Sequence, residues 1–124
     1  MSLFVCLCRG DYDSLLRWPF QHRVTLTLLD QNRSKPYSQR HHVTYTLKPS
    51  LEKEAVPFLG RPSSERNGSF GAQAFCDVAK IASSLDRDDG AGNDATTGQT
   101  APMYVLDDVM YVKVEVDTAG MVKV

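Results

Sequence analysis

The fold of this chain can be inferred first from residues 11–31, whose sequence is DYDSLLRWPFQHRVTLTLLDQ. Residues 24–28 alternate apolar and β-branched polar side chains, which is typical of a half-buried β-strand. Residues 13–18 predict a single helical turn, capped by Asp13 or Ser14 and ended by the proline that follows. The segment therefore predicts a short helix leading into a strand.

Outside this segment, the apolar residues again recur with a period of two, and strong strand formers dominate. The pattern predicts four more strands, at residues 3–8, 43–47, 71–78 and 109–117. The last is the clearest, because one face carries only apolar side chains, namely Met110, Val112, Val114 and Val116. A further short turn is predicted within residues 76–85. Strands joined by long connections indicate an all-β antiparallel sandwich.

Residues 82–102 differ in composition from the rest of the chain. They are rich in Gly, Ser, Thr, Asp and Asn, with Leu85 as their one large apolar residue. Such a segment buries too little apolar surface to offset the entropy lost on ordering. We expect a flexible inserted loop at 82–102 within a single domain of residues 1–124.

Composition excludes several classes of protein. The chain has 124 residues, 42% hydrophobic and 23% charged, with a net charge of -1, so it lacks the basic excess of a nucleic-acid-binding protein. No apolar run reaches the roughly 20 residues of a membrane span. The opening apolar run, 3–8, lacks the flanks of a signal peptide. An odd count of three cysteines favours a reducing, cytoplasmic location.

The sequence predicts no metal site. Counting an EF-hand loop from Asp86 puts Gly90 at position 5 instead of 6 and Thr97 where a glutamate is needed, so the calcium pattern fails. His41 and His42 would point to opposite faces of a strand. The spacing of Cys6 and Cys8 is unlike that of zinc ligands, so we expect buried structural cysteines there.

No catalytic constellation emerges either. Cys76 and His22 are a possible nucleophile and base, but Asp77 beside the thiol would raise its pKa. There is no glycine-rich phosphate loop and no Gly-x-Ser-x-Gly turn. We expect no enzyme activity and no cofactor.

The same residues carry a family resemblance. The block Leu15-Leu16-x-Trp18-Pro19-Phe20, and the strand ending Leu28-Leu29-Asp30-Gln31, closely resemble the C-terminal domain of TRAF (tumour necrosis factor receptor-associated factor) proteins, the meprin-and-TRAF-homology (MATH) family. Further matches follow in the family's order, at residues 47–49, 61–62, 70–75 and 104–108. Purely structural roles for these residues are compatible with the resemblance. Trp18 and Phe20 would fill one end of the sandwich core, and Asp107 and Asp108 would accept hydrogen bonds in a turn.

The resemblance implies an eight-stranded sandwich. On that template the chain is N-terminally truncated: it starts at the fourth strand, with residues 2–8, and contains about five of the eight strands. Missing strands would leave exposed sheet edges and an uncovered core face. We therefore expect a poorly stable or self-associating protein, which a cooperative melt of a monodisperse monomer would contradict.

The resemblance also implies a function. Family members bind short extended peptides of receptor tails or adaptors by strand addition beside the seventh strand, here residues 71–78. The implied peptide-binding residues, for which core packing is the alternative role of the apolar ones, are Phe70, Gly71, Ala72, Leu47, Phe4 and Phe58. The longer proteins form trimers through a coiled coil, but no heptads occur here.

One departure weakens the expected binding. Ala55-Val56-Pro57-Phe58 replaces a serine-rich block whose hydroxyls hydrogen-bond the peptide in many members. Two other functions stay open on the sequence: a MATH substrate-recognition module of a ubiquitin-ligase adaptor or protease, and a non-functional fragment.

Overall fold

A computed structural model describes residues 1–50, 52–85 and 101–119 of the chain. Its strands are β1 (Leu3–Val5), β2 (Val24–Leu28), β3 (Val43–Leu47), β4 (Phe70–Ala72) and β5 (Val112–Val116). Its α-helices are α1 (Val56–Leu59) and α2 (Val78–Leu85). Single 3-10 turns occupy Asp13–Leu15, Tyr37–Gln39 and Lys53–Ala55.

The strands form two antiparallel sheets, of order β3-β2-β5 and β1-β4. A shared core lies between them, into which partly buried side chains of β1 and β4 also pack; its buried members are Val24, Leu26, Leu28, Leu47, Ala72, Phe75, Cys76 and Tyr104. The predicted antiparallel β-sandwich is thereby confirmed.

The central strand β2 has the predicted bounds and is more deeply buried than expected. Val24, Leu26 and Leu28 face the core. Thr27 points to the other face of the sheet and is nevertheless buried. Strands on both sides, β3 and β5, shield β2, so burial extends beyond its apolar face.

Strand β5 is shorter than predicted, starting at Val112, and is the most exposed strand. Its valines pair with Val24, Leu26 and Leu28 of β2 and therefore share the core-side face. Yet Val112, Val114 and Val116 are 40%, 58% and 41% exposed. The residues that the structure describes therefore cover this part of the apolar face only partly.

The predicted strand at residues 71–78 is wrong in its extent, because β4 ends at Ala72. The backbone N–H groups of Phe75 and Cys76 both donate to the Met1 carbonyl, at 3.1 and 3.3 Å, which turns the chain away from the sheet. Helix α2 then begins at Val78, where only a short turn was predicted.

Helix α2 also overlaps the segment expected to be an inserted loop. Its last four residues, 82–85, are helical. Residues 86–100, which include the rejected calcium candidate, lie outside the described part of the chain. The expectation of a flexible loop there stays a prediction.

The predicted helical turn near residues 13–18 is a 3-10 turn at Asp13–Leu15, and its capping differs from the prediction. Tyr12 occupies the cap position without a side-chain bond, and the Asp13 carboxylate instead accepts the Gly10 N–H at 3.1 Å. The Trp18 indole donates to the Asp13 carbonyl at 2.8 Å, while Phe20 packs against the core as predicted.

A two-residue hairpin turn at Asp107 and Asp108 leads towards β5. Leu106 and Val109 exchange backbone hydrogen bonds of 3.1 and 3.0 Å. Both aspartates have positive φ, 52° and 64°, as a type I′ turn requires. This conformation is costly for residues with a Cβ, although aspartate tolerates it better than most.

Replacing Asp108 with glycine is expected to raise the free energy of unfolding by about 0.5–1 kcal/mol, because Asp-Gly is a favoured type I′ pair. Urea denaturation of the two proteins measures the difference. The control is Asp108→Ala, which keeps the Cβ and should bring no gain. Equal stabilisation by alanine would contradict the backbone explanation.

Candidate functional site

A cleft of about 190 Å³ opens beside the start of β4. Three segments form it: the chain leaving β3, the 3-10 turn with α1, and β4 itself. Its lining residues are Lys48, Pro49, Ser50, Ala55, Phe58, Leu59 and Phe70. Its walls are mostly apolar, with one cationic and one hydroxyl-bearing side chain, a composition suited to a ligand that is partly apolar and partly polar.

Helix α1, which supplies Phe58, is held by hydrogen bonds to its C-terminal carbonyl groups. The Asn67 side-chain amide donates to the carbonyls of Phe58 and Gly60, at 3.1 and 2.7 Å. The backbone N–H of Gly68 donates to the Pro57 carbonyl at 3.1 Å, and that of Phe20 donates to the Leu59 carbonyl at 2.7 Å. A one-turn helix is unstable alone, so these bonds fix where its side chains lie.

The Phe58 ring is further positioned by Gly68. A Cβ at residue 68 would lie 3.0 Å from Cε1 of Phe58, so the ring packs directly over the glycine backbone. Any larger residue at 68 would push the ring, which would alter the wall of the cleft.

The segment containing Asn67 and Gly68 pairs with the chain that follows β1. Arg9 donates to the Glu65 carbonyl and Asn67 to the Leu7 carbonyl, at 2.8 and 2.9 Å. Val5 pairs with Phe70, and Cys8 pairs with Arg66. Between these two pairs, the segment after β1 advances by three residues and the segment before β4 by four. The extra residue is a bulge, which bends the strand where Gly68 meets α1.

Five of the six predicted peptide-binding residues separate into three groups. Phe58 and Phe70 line the cleft together. Leu47 and Ala72 have side chains that are buried in the core and do not line the cleft. Phe4 lies on the outer face of β1, opposite Gly71, and is 55% exposed.

Gly71 is required by the protein's own sheet. A Cβ there would lie 2.7 Å from the Cα of Phe4 and even closer to the Leu3 carbonyl oxygen. The family resemblance implied a peptide-binding role for this glycine, but the backbone that approaches it in the structure belongs to β1.

Strand β4 pairs only with β1 in the described part of the chain, so its other edge has no hydrogen-bonded strand beside it. Five further lining residues were not predicted from the sequence, namely Lys48, Pro49, Ser50, Ala55 and Leu59. A proline just after a predicted strand was the available signal, since it ends β3 and turns the chain towards α1.

Away from the cleft, the Asp30 carboxylate is the centre of a buried polar cluster and is 1% exposed. One oxygen accepts the N–H groups of Asn32 and Met103, at 3.0 and 2.9 Å. The other accepts the His41 N–H at 2.8 Å and lies 3.1 Å from the Lys35 ammonium. Burial opposes ionisation, but these donors together lower the pKa of Asp30 below its usual value.

The cluster ties the end of β2 to residues 101–109. Asn32 donates to the Ala101 carbonyl at 2.7 Å, and the Gln31 side chain donates to the carbonyls of Tyr104 and Val109 at 3.1 and 2.7 Å. The Tyr104 hydroxyl donates to the His41 carbonyl at 2.9 Å. Burial, with the Asp30 charge and Cys76, raises the pKa of Tyr104, which keeps the hydroxyl a donor. This cluster is structural.

His41 and His42 lie just before β3, and their ring nitrogens contact different groups. His41 Nδ1 lies 3.0 Å from Lys35 Nζ, and His42 Nδ1 accepts the Asp30 N–H at 2.9 Å. Among the described residues, no three His, Cys, Asp or Glu side chains are placed to hold a metal ion.

The expectation of buried structural cysteines at residues 6 and 8 is wrong for Cys8, which is exposed, while Cys6 is half-buried. Cys8 pairs with Arg66 next to the bulge, outside the regular β1–β4 strands. The Cys6 thiol donates a hydrogen bond to the Asn67 carbonyl at 3.1 Å. In the described ranges, no helix has the length and apolar character needed to cross a membrane.

Comparisons with known proteins agree on one family. The sequence model of the protein family described as TRAF/meprin, MATH domain matches residues 1–89. TNF receptor-associated factor 1 of Mus musculus is 34% identical over 120 residues, covering 97% of this chain and 23% of that protein. TNF receptor-associated factor 2 of Homo sapiens is 32% identical over 121 residues, covering 98% of this chain and 19% of that protein.

A solved structure shares the fold as well. Notothenia coriiceps TRAF5 superposes with a TM-score of 0.69 at 31% sequence identity, covering 99% of this chain and 49% of that one. The chain thus spans about half of the solved structure and less than a quarter of these two curated relatives.

Proposed function

Because this chain belongs to the family of TRAF/meprin MATH domains, we propose that it is a non-enzymatic adaptor module that binds short extended peptides. The relatives are named as receptor-associated factors, so the proposed peptides come from receptor cytoplasmic tails or from signalling adaptors. The free cysteines of the described residues fit the reducing conditions of the cytoplasm, where such tails lie.

The observation that carries this proposal is the cleft beside β4. A peptide added as a strand needs two things: unpaired backbone groups for affinity and a pocket for specificity. The edge of β4 that does not face β1 offers the first. The apolar surface around Phe58 and Phe70 offers the second. The ammonium group of Lys48, a residue that also lines the cleft, favours a peptide whose side chain carries a carboxylate or an amide carbonyl.

A single site of this kind should bind weakly. Each net hydrogen bond contributes about 0.5–1.5 kcal/mol, while association costs several kcal/mol. In a longer protein that trimerises, linked sites would add roughly 10²–10⁴ in effective affinity. We propose that useful binding depends on such avidity.

The proposal is tested with a ¹⁵N amide spectrum of the chain, to which short Pro-x-Gln and Pro-x-Glu peptides are added. We expect saturable shifts at the amides of residues 48–50, 58–59 and 70–72. Phe58→Ala should weaken binding about tenfold, since it removes a large apolar contact from the cleft wall.

A matched control is Tyr12→Ala, which truncates an aromatic side chain that is 64% exposed and does not line the cleft. It should leave peptide affinity unchanged. Shifts confined to other surfaces, or equal losses in both variants, would refute the cleft as the site. A well-dispersed spectrum that no peptide perturbs would refute the proposed function itself.

A further inference from the structure

A second cleft, of about 270 Å³, lies at the end of β2 and shares no lining residue with the cleft beside β4. Its walls come from the residues that follow β2, from the connection to β3 and from the turn before β5. The lining includes Leu29, Arg33, Tyr37, Arg40, Leu106 and Tyr111. Two arginines therefore share one concave surface with two aromatic and two leucine side chains.

The Arg40 side chain is held in place by the protein itself. Its Nε donates to the Lys35 carbonyl at 3.1 Å, and its guanidinium carbon lies 5.7 Å from the centre of the Tyr37 ring, within the range of a cation–π contact. The two terminal nitrogens form no hydrogen bond or ion pair with the described residues. Arg40 is thus a positioned planar group whose outer nitrogens can bind two oxygens of one anion.

Tyr37, which Arg40 contacts, is supported by the buried polar cluster. The centre of its ring lies 4.7 Å from the centre of the His42 ring. His42 in turn accepts the Asp30 N–H at 2.9 Å through Nδ1. Because these contacts connect Arg40 to a buried part of the protein, its side chain has little conformational freedom left to lose when it binds an anion.

The arginines give this second cleft a positive charge. Arg33 is exposed and forms no ion pair within the described part of the chain. Asp30 also lines the cleft, but its carboxylate is buried and its charge is balanced by the Lys35 ammonium at 3.1 Å. The charges of Arg33 and Arg40 therefore remain for a ligand, and two positive charges match a dianion better than a single carboxylate.

The remaining lining favours an anion that is attached to an apolar group. Leu29, Leu106 and Tyr111 place apolar and aromatic surface in the same cleft as the two arginines. An inorganic phosphate ion would leave this surface in water, whereas the phosphate ester of an aromatic group would cover it. At neutral pH such an ester carries about −1.5 to −2 charges and three strong acceptor oxygens.

We propose that this second cleft binds a phosphotyrosine side chain of a partner protein. Arg40 and Arg33 bind the phosphate, as arginine clusters do in other phosphopeptide sites, and the phenyl ring packs against Leu29, Leu106 and Tyr111. The inference does not rest on the function proposed for the cleft beside β4, because no residue is common to the two linings.

The test is a ¹⁵N amide titration of the full chain with phenyl phosphate at fixed ionic strength, with inorganic phosphate and phosphoserine as comparison ligands. We expect saturable shifts at residues 29–33, 37–40 and 106–111. Phenyl phosphate should bind about tenfold more tightly than either comparison ligand, because only its ring covers the apolar wall. A phosphotyrosine peptide should shift the same amides, and its unphosphorylated form should not.

Arginine variants test the geometry of the site. Arg40→Lys keeps the charge but lacks the planar fork, so it should weaken phenyl phosphate binding about tenfold. Arg33→Ala should weaken it several-fold and, since Arg33 is exposed, should leave the amide spectrum dispersed. The matched control is Arg61→Ala, which removes the same charge from an exposed residue that lines neither cleft and should not change the affinity.

Several results would overturn the proposal. One is the absence of saturable shifts, and another is equal binding of phenyl phosphate and inorganic phosphate. Equal losses in Arg33→Ala and Arg61→Ala would show attraction to overall charge instead of a site. Binding to vesicles that contain phosphoinositides, without binding to the phosphotyrosine peptide, would assign the cleft to a lipid headgroup.

Discussion

Replacing Asp30 with alanine is expected to lower the free energy of unfolding by about 3–5 kcal/mol, the usual cost of breaking a buried ion pair from one side. The change removes the acceptor of three backbone N–H groups and leaves the buried Lys35 ammonium without its carboxylate. A small domain is stable by only about 5–15 kcal/mol, so the loss is a large share of the total. Chemical denaturation followed by circular dichroism measures it.

The matched control is Asp117→Ala. That carboxylate is exposed and accepts one backbone N–H, from Ala119 at 3.0 Å, so its loss should cost less than about 1 kcal/mol. Similar losses in the two variants would contradict a special role for Asp30.

The pH dependence of stability provides a second readout for the same residue. A carboxyl whose pKa is lowered by folding contributes stability that is fully present above its unfolded pKa of about 3.9. That contribution is lost as the pH falls through the lower, folded pKa of Asp30. The wild-type chain should therefore lose stability at acid pH more steeply than Asp30→Asn, whose residue 30 does not titrate.

Replacing Gly71 with alanine is expected to cost about 3 kcal/mol, at the upper end of typical overpacking costs. The new Cβ would meet the Leu3 carbonyl and the Phe4 Cα, and both are backbone atoms that no side-chain rotation can move. The β1–β4 pair must separate, which also displaces Phe70 from the cleft. Both the denaturation midpoint and the peptide-induced amide shifts should fall.

Gly10→Ala is the control for this substitution. A Cβ at residue 10 would lie 3.3 Å from a carboxylate oxygen of Asp13, the end of a side chain that can yield. We expect a cost of less than about 1 kcal/mol there. If Gly71→Ala unfolded at the same denaturant concentration as the wild type, the close approach of β1 would be refuted.

The candidate site was only partly predictable from the sequence. Phe58 and Phe70 were identified through the family resemblance, and they share one cleft. Leu47 was assigned to the lining of the same surface, but its side chain is buried in the core, because the inward face of a strand near a cleft cannot be told from the cleft lining by the sequence alone. Lys48 and Ser50 reach the cleft through a turn that carries no periodic signal.

Strands β2 and β3 follow from local pattern, since alternation of apolar and β-branched residues sets both the period and the buried face. Their predicted bounds, 24–28 and 43–47, are those of the structure. The extent of β4 does not follow in this way, because the Met1 carbonyl, distant in sequence, ends it by accepting two N–H groups.

Long-range pairing explains the remaining differences. The alternation of β5 determines that its valines share a face, but their exposure depends on what lies beside that strand in space. Likewise the motif Leu28-Leu29-Asp30-Gln31 marks the family, while only the folded chain brings residues 41 and 103 to the Asp30 carboxylate. Periodicity is a property of neighbours along the chain; burial and hydrogen-bond partners depend on segments that meet only after folding.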